Sequence, residues 1–313
     1  MSGRDLMEGL QIEYPIATLP IPVAVENGLT ADISNLQYIG SYNWLEAPHA
    51  TIIVPGSPRE WLKKNTPYTV QADTEERFVD QNAFRIPASP LLPLIACVDH
   101  LHRTTKGNEA FRWASVDIVT DRNGLRKLLR WIRGNTTESF RIDLQLAGQK
   151  TVLFTRWEPR TKAFPEYYGH TFGHNFEEAA TSPAKGCEGE TGHHRVVQYD
   201  FGGLRLVVRC EVDAYLPAFS KSQPALAVDP TKQKTETVVS SGNTTLTIRE
   251  AGTIISQESL VELKTTSRKR FNAGQCPFDE IIPQMFIAQT PHLFLGIHER
   301  GYFSQVLQGN ISG

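Results

Sequence analysis

The sequence predicts an α+β fold: a single mixed β-sheet domain with helices on its flanks. Paired alternating runs are the first reason. FRIDLQL (140–146) and TVLFTRW (151–157) alternate apolar and polar residues around AGQK, and HRVVQYDF (194–201) and LRLVVRCEV (204–212) do so around Gly202-Gly203. Period-two runs joined by short glycine-containing turns read as antiparallel hairpins. The second reason is helical spacing between them. In NGLRKLLRWIRG (123–134), Leu125, Leu128, Leu129 and Ile132 recur at i, i+3, i+4 and i+7, with Gly134 as a C-terminal stop.

The remaining elements come in chain order. Residues 1–109 are punctuated by YPIATLPIPV, VPGSPREW and PASPLLPLI and are expected as an irregular layer wrapping a core at 110–300, all within one domain. VDIVT (116–120) reads as a strand and YYGHTFGHNFEEAAT (167–181) as a helix. The segment 216–258 reads as an insertion, polar in its first half, with a hairpin of TETVVSS and TLTIRE turned by Gly-Asn. SLVELKTT reads as a short strand, FDEIIPQMFIAQT (278–290) as a helix that tolerates Pro283 near its start, HLFLGI as a strand, and 301–313 as a tail.

Composition excludes several classes. The 313 residues are 40% hydrophobic and 21% charged, ordinary for a globular enzyme and enough for a substantial core. No run of 18 or more apolar residues occurs, and MSGRDLMEGLQIEYP carries acids where a signal peptide needs basic and then apolar residues. The expectation is a nuclear or cytoplasmic protein, neither secreted nor inserted in a membrane. Cys97, Cys187, Cys210 and Cys276 form no CxxC pair, which fits reduced thiols. A formal net charge of −2 argues against general coating of nucleic acid and leaves only a local basic patch for a polyanion.

The chemistry concentrates in acids set two residues apart. In RCEVDAYL, Glu211 and Asp213 follow the apolar LRLVV, and in SLVELKTT, Glu262 and Lys264 follow another apolar start. Alternate residues of a strand share a face, so each pair looks one way. Either pair alone is also what a salt-bridged edge strand shows. Together they would crowd three carboxylates and an ammonium, an arrangement that a hard, oxygen-ligated divalent cation relieves. GHNFEE adds Glu177 on a helix. A rival zinc site from His170, His174, Cys187, His193 and His194 lacks ligand spacing beyond its one helical pair.

Taken together, GHNFE, EVD, ELK and PQMFIAQTPHLFLG resemble the ordered motifs of the DXO family of RNA 5′-end quality-control and decapping nucleases, a branch of the PD-(D/E)XK nuclease fold. Gln284, Pro291 and Gly296 keep the family's spacing, and VTDRNGLRKLL resembles its early strand-Arg-Gly-helix motif, with Arg122 in the arginine place and Asn123 as an extra residue before Gly124. The resemblance covers about residues 110–300.

It implies that Glu177, Asp213, Glu262 and the carbonyl of Leu263 bind Mg²⁺ or Mn²⁺, with Glu211 acting through a bound water or a second ion. Lys264 would set a positive charge beside the scissile phosphate, Gln284 would hold a water or phosphate oxygen, and Arg122 would bind substrate. The implied substrate is an RNA 5′ end, triphosphate or capped, and the implied protein partner a larger 5′→3′ exoribonuclease. Arg126, Lys127, Arg130 and Arg133 beside the Leu/Ile stripe, and TSRKRF (266–271), are either a substrate surface or solvated charge. Two other classes stay open: a catalytically weak binding module that partners such an exoribonuclease, and a DNA-directed PD-(D/E)XK nuclease. Three departures stand out. They are the segment 216–258, which could cover the site or dock a partner, His298 where the family carries arginine, and an end at Gly313 where the family continues.

Overall fold

The structure, a computed structural model, describes residues 3–11, 14–23, 32–105, 109–135, 137–164, 171–217 and 236–311. Its strands are β1 (Ile33–Leu45), β2 (Thr51–Pro55), β3 (Arg59–Trp61), β4 (Tyr68–Thr69), β5 (Arg77–Phe78), β6 (Ile118–Asp121), β7 (Arg141–Ala147), β8 (Thr151–Trp157), β9 (Lys162–Ala163), β10 (Thr181–Ser182), β11 (Glu190–Phe201), β12 (Leu204–Val212), β13 (Ala214–Tyr215), β14 (Glu236–Ser241), β15 (Thr244–Ala251), β16 (Leu260–Ser267), β17 (His292–Glu299) and β18 (Tyr302–Asn310). The α-helices are α1 (Gln81–Arg85), α2 (Leu92–Thr105), α3 (Arg122–Ile132), α4 (Gly173–Ala180), α5 (Arg268–Asn272) and α6 (Phe278–Ala288). No helix among the described residues is long and apolar enough to cross a membrane.

The α+β class with mixed pairing and flanking helices is what the structure has, but the sheet is divided. A nine-stranded sheet runs β14-β15-β2-β1-β11-β12-β6-β8-β7, a seven-stranded one runs β10-β3-β13-β16-β17-β18-β4, and β5 pairs with β9. Both expected hairpins form, β7 with β8 and β11 with β12, and the alternating side chains of β12 face two different cores. On one face Val207 packs with Tyr42, Trp44, Leu94 and Val98 of β1 and α2. On the other, Leu206 and Val208 pack with Tyr199, Leu125 of α3 and Ala288 of α6.

Within the first hundred residues the described elements include core structure as well as an irregular layer. β1 is an inner strand of the nine-stranded sheet, paired with β11 along most of its length, and α2 packs against it. Its last seven residues are buried on both faces, so it lacks alternation, and its main partner lies about 150 residues downstream, so no local turn announces it. The supposed tail likewise supplies β18, paired antiparallel with β17. The hairpin of the 216–258 segment does form, as β14 and β15, but β15 lies parallel to β2 and extends the far edge of the large sheet rather than covering the acids. Its polar half, 218–235, and the beginning of the expected 167–181 helix lie outside the described residues; within them that helix is α4.

β12 positions the site by leaving one sheet for the other. It ends at Val212 in the nine-stranded sheet, and two residues later the same chain pairs as β13 in the seven-stranded sheet, parallel to β3 and antiparallel to β16. Asp213 is the single residue between them.

Candidate active site

Asp213 closes the joint: its Oδ2 accepts a hydrogen bond from Leu263 N at 2.7 Å and lies 3.9 Å from Lys264 Nζ. Lys264 also donates to the Leu263 carbonyl at 3.1 Å and to Glu262 Oε1. Glu262, only 1% exposed, is held from three sides, by Lys264, by Gln284 Nε2 and by Arg122 Nη1 at 3.0 Å from Oε2. Arg122 reaches it because α3 starts where β6 ends, with the Asp121 side chain accepting from Gly124 N at 2.7 Å. A side chain at Gly124 would have its Cβ 2.9 Å from Thr120 Oγ1, so the close first turn of α3 requires glycine.

Glu177 of α4, Glu211 and Asp213 line one cleft of about 260 Å³, together with Arg59, Arg77, Phe78, Gln81 and His174. Arg59 is pinned there, donating to Thr181 Oγ1 at 2.7 Å, Glu190 Oε1 at 2.9 Å and Glu178 Oε2 at 3.1 Å. Glu211 also borders a small polar chamber with Asp121, Arg122, Arg156, His194 and Arg209.

The electrostatics are strained in one direction. Burial and the neighbouring charge of Asp213 hold the Glu177 carboxyl well above the usual carboxylate range. Burial and Glu262 push Asp213 up to about 7 against the pull of Lys264. Desolvation at the cleft raises Glu211 as well, opposed by Arg122 and Arg156, although the residue as a whole is exposed. Glu262 is the exception: despite its burial, Lys264 and Arg122 hold its carboxyl below the usual range. Three oxygen-donor carboxyls that resist ionisation together are the donor chemistry that suits a hard cation.

The candidate site residues Glu177, Glu211, Asp213, Glu262, Lys264, Gln284 and Arg122 are thus in one region, but not as one ligand cage. Glu262 faces Arg122, Lys264 and Gln284 instead of the cleft, because those groups neutralise it where it is buried. Among the described residues no group of three or more His, Cys, Asp or Glu side chains is spaced to hold a metal ion. Gln284 likewise meets Glu262, and Arg122, 7% exposed, is engaged by a protein acid.

The rest of the basic helix is paired with acids or backbone: Arg126 with Glu280 at 3.1 Å, Lys127 with Glu158 at 3.1 Å, Arg130 with Glu138 at 2.9 Å and Arg133 with the Asp279 carbonyl at 3.0 Å. The rival zinc set separates. Cys187 is buried with Leu45 and Ile53, His193 bonds Asn43, His194 packs on Tyr42, and His170 lies outside the described residues. His298 is a core residue between Phe172 and Phe303. Arg59 and Arg156 had no signal in the sequence; each becomes visible only once distant strands are paired.

A chain with this divided sheet and acidic joint has the fold of the Rai1 proteins. Rai1 of S. pombe is 13% identical, with 92% of this chain and 77% of that chain covered at a TM-score of 0.55. Rai1 of Scheffersomyces stipitis in complex with (3'-NADP)+ and calcium ion is 14% identical, with 90% and 74% covered and a TM-score of 0.55. Rai1 of Candida albicans in complex with pU5-Mn2+ is 13% identical, with 90% and 73% covered and a TM-score of 0.53. At these identities the likeness is one of fold, the same fold that the motif resemblance implies. By sequence the chain belongs to the family described as Domain of unknown function (DUF8563), whose model matches residues 17–312. No curated protein matches it.

Proposed function

We propose that the protein is a divalent-metal-dependent hydrolase of RNA 5′ ends, releasing pyrophosphate from 5′-triphosphates or removing incomplete or NAD-type caps, with 5′→3′ exonucleolysis as a further activity of the same site. The observation that carries this reading is the meeting of Glu177, Glu211 and Asp213 in one cleft, with Lys264 bridging Asp213 and Glu262 behind it. The groups that would hold Mg²⁺ or Mn²⁺, as one or two ions, are Glu177, Glu211 and Asp213, drawn closer together than they now stand, with Glu262 and the Leu263 carbonyl beside them. When bound, a cation of this kind polarises the phosphoryl group and neutralises charge developing on it.

The protein's own groups have separable tasks. Glu211 opens onto the cleft with a raised affinity for protons, suited to taking one from an attacking water. Lys264 stays protonated beside two carboxylates, a fixed positive charge for developing negative charge on phosphorus. Arg122 and Gln284 fix Glu262, and a substrate phosphate that drew either away would free that carboxylate. The reading keeps a larger 5′→3′ exoribonuclease as protein partner and a nuclear or cytoplasmic setting.

One observation favours a second reading. Glu262 is fully engaged by protein groups, as in a binding module that has little turnover of its own. Mass analysis of products from 5′-triphosphate, GpppN-capped and NAD-capped RNA with Mg²⁺ or Mn²⁺ decides. Release of pyrophosphate or of a cap nucleotide supports the hydrolase, and unchanged RNA of every type rejects it. Equal cleavage of DNA with a matching 5′ end points to a DNA-directed nuclease.

A further inference from the structure

Arg156 belongs to none of the motifs that mark the site, yet it joins two of the helices that build it. Its Nε lies 3.0 Å from Asp80 Oδ2 and 3.2 Å from Asp121 Oδ2, its Nη1 is 3.2 Å from Glu158 Oε1, and its Nη2 donates to the Val79 carbonyl at 3.0 Å. Both aspartates are helix caps. Asp80 Oδ1 accepts from Ala83 N at 3.0 Å at the start of α1, and Asp121 Oδ1 accepts from Gly124 N at 2.7 Å at the start of α3. One nitrogen, Nε, therefore stands between the second oxygens of both caps at ion-pair distance without hydrogen-bonding Asp80 Oδ2, while the first oxygen of each aspartate binds its helix.

The first residues after each cap face the site. Gln81 of α1 lines the acidic cleft and Asn82 the polar chamber, while Arg122, the first residue of α3, reaches Glu262. Arg156 is 10% exposed in its side chain, and Arg209 supports Asp121 from a further 3.5 Å. The guanidinium is oriented by Nη1 on Glu158 and Nη2 on the Val79 carbonyl, which holds its charge at Nε between the two aspartates, whereas a lysine ammonium is one point charge on a flexible stem.

We infer that Arg156 is a positioning residue: it locks the capped starts of α1 and α3 together, so that Arg122 meets Glu262 and Gln81 stays at the cleft. It does so without touching substrate. The activity arm of its test rests on the proposed hydrolase; the structural arm does not.

The test compares Arg156→Lys with wild type, the lysine keeping the charge that the three carboxylates need, since removing a buried partner outright leaves costly unpaired charge. Hydrogen exchange at residues 82–84 and 123–126 should quicken in Arg156→Lys while β16 stays protected. On 5′-triphosphate RNA, kcat should fall about 10- to 100-fold with KM within about threefold, and in an Arg122→Ala background the same change should cost clearly less than in wild type, because part of its effect passes through the Arg122–Glu262 contact. Unchanged exchange at both helix starts overturns the inference, and so do losses that simply multiply in the double variant. If wild type acts on no RNA 5′ end, the proposed function fails, and the exchange measurement alone decides the role of Arg156.

Discussion

Lys264 Nζ stands between Asp213, 3.9 Å away, and Glu262, which it contacts directly, so one ammonium serves two carboxylates on either side of a sheet boundary. Removing it should leave α4, β12 and β16 folded but take away the positive charge aimed at the phosphoryl group. Lys264→Ala should lower turnover of 5′-triphosphate RNA by about 10²–10³. Its gain in melting temperature on adding Mn²⁺ should be at least that of wild type, since the carboxylates have lost their internal cation. Wild-type turnover in this variant would return the acidic strands to ordinary salt-bridged surface.

Metal binding should be readable without any substrate. A ligand of the native state raises the melting temperature by mass action, so Mg²⁺ or Mn²⁺ should do so here. Asp213→Asn can keep the hydrogen bond from Leu263 N through its amide oxygen and should lose most of that gain. Equal stabilisation of both proteins would place the binding elsewhere.

Acid should unfold the protein partly through two histidines. His193 and His194 are buried, and burial holds both well below the ordinary value of 6.5, with Arg195 and Arg209 respectively adding to the effect. Below about pH 6.5 the unfolded chain therefore binds protons that the folded chain refuses, and stability falls as pH falls, by up to about 1.4 kcal/mol per pH unit for each histidine. Asp213 and Glu177, raised in the fold, act with the opposite sign, so the comparison must be differential. The urea midpoint of His194→Gln should drop less than that of wild type between pH 7.5 and 5.5. Parallel curves would remove His194 from the acid transition.

Gly296 should tolerate no methyl group. A Cβ there would lie 2.8 Å from the rings of Phe176 and Phe303, both fully buried. Gly296→Ala should cost about 1–3 kcal/mol in denaturant unfolding, the usual range for overpacking. Gly309→Ala, whose Cβ meets nothing nearer than 3.8 Å, should be close to neutral by the same measurement.

The elements legible in the sequence are those whose partners are close along the chain. β7 with β8, β11 with β12 and β14 with β15 each pair across a short turn, and α3 carries its apolar stripe within three turns. β1 was illegible because its burial on both faces erases alternation and β11 is far away in sequence. The division into two sheets left no local mark either, since it depends on Asp213 being where pairing changes partner. Within the site, spacing paired Glu211 with Asp213 and Glu262 with Lys264, and the motif resemblance added Glu177. It did not tell that Glu262 would turn to Arg122 and Gln284, a choice set by which cations share its burial, nor that Arg59 and Arg156 would stand beside them.

The crossing of the chain at Asp213 also gives the site a mechanical character. Glu211 moves with the larger sheet, Glu262 and Lys264 with the smaller, and Glu177 with the helix whose Phe176 is packed against the smaller sheet. A change in the angle between the sheets would alter the separation of the acids, so a molecule gripping both sides would brace the joint. Stiffness of the joint and readiness of the site are then one property, tunable by substitutions far from either carboxylate.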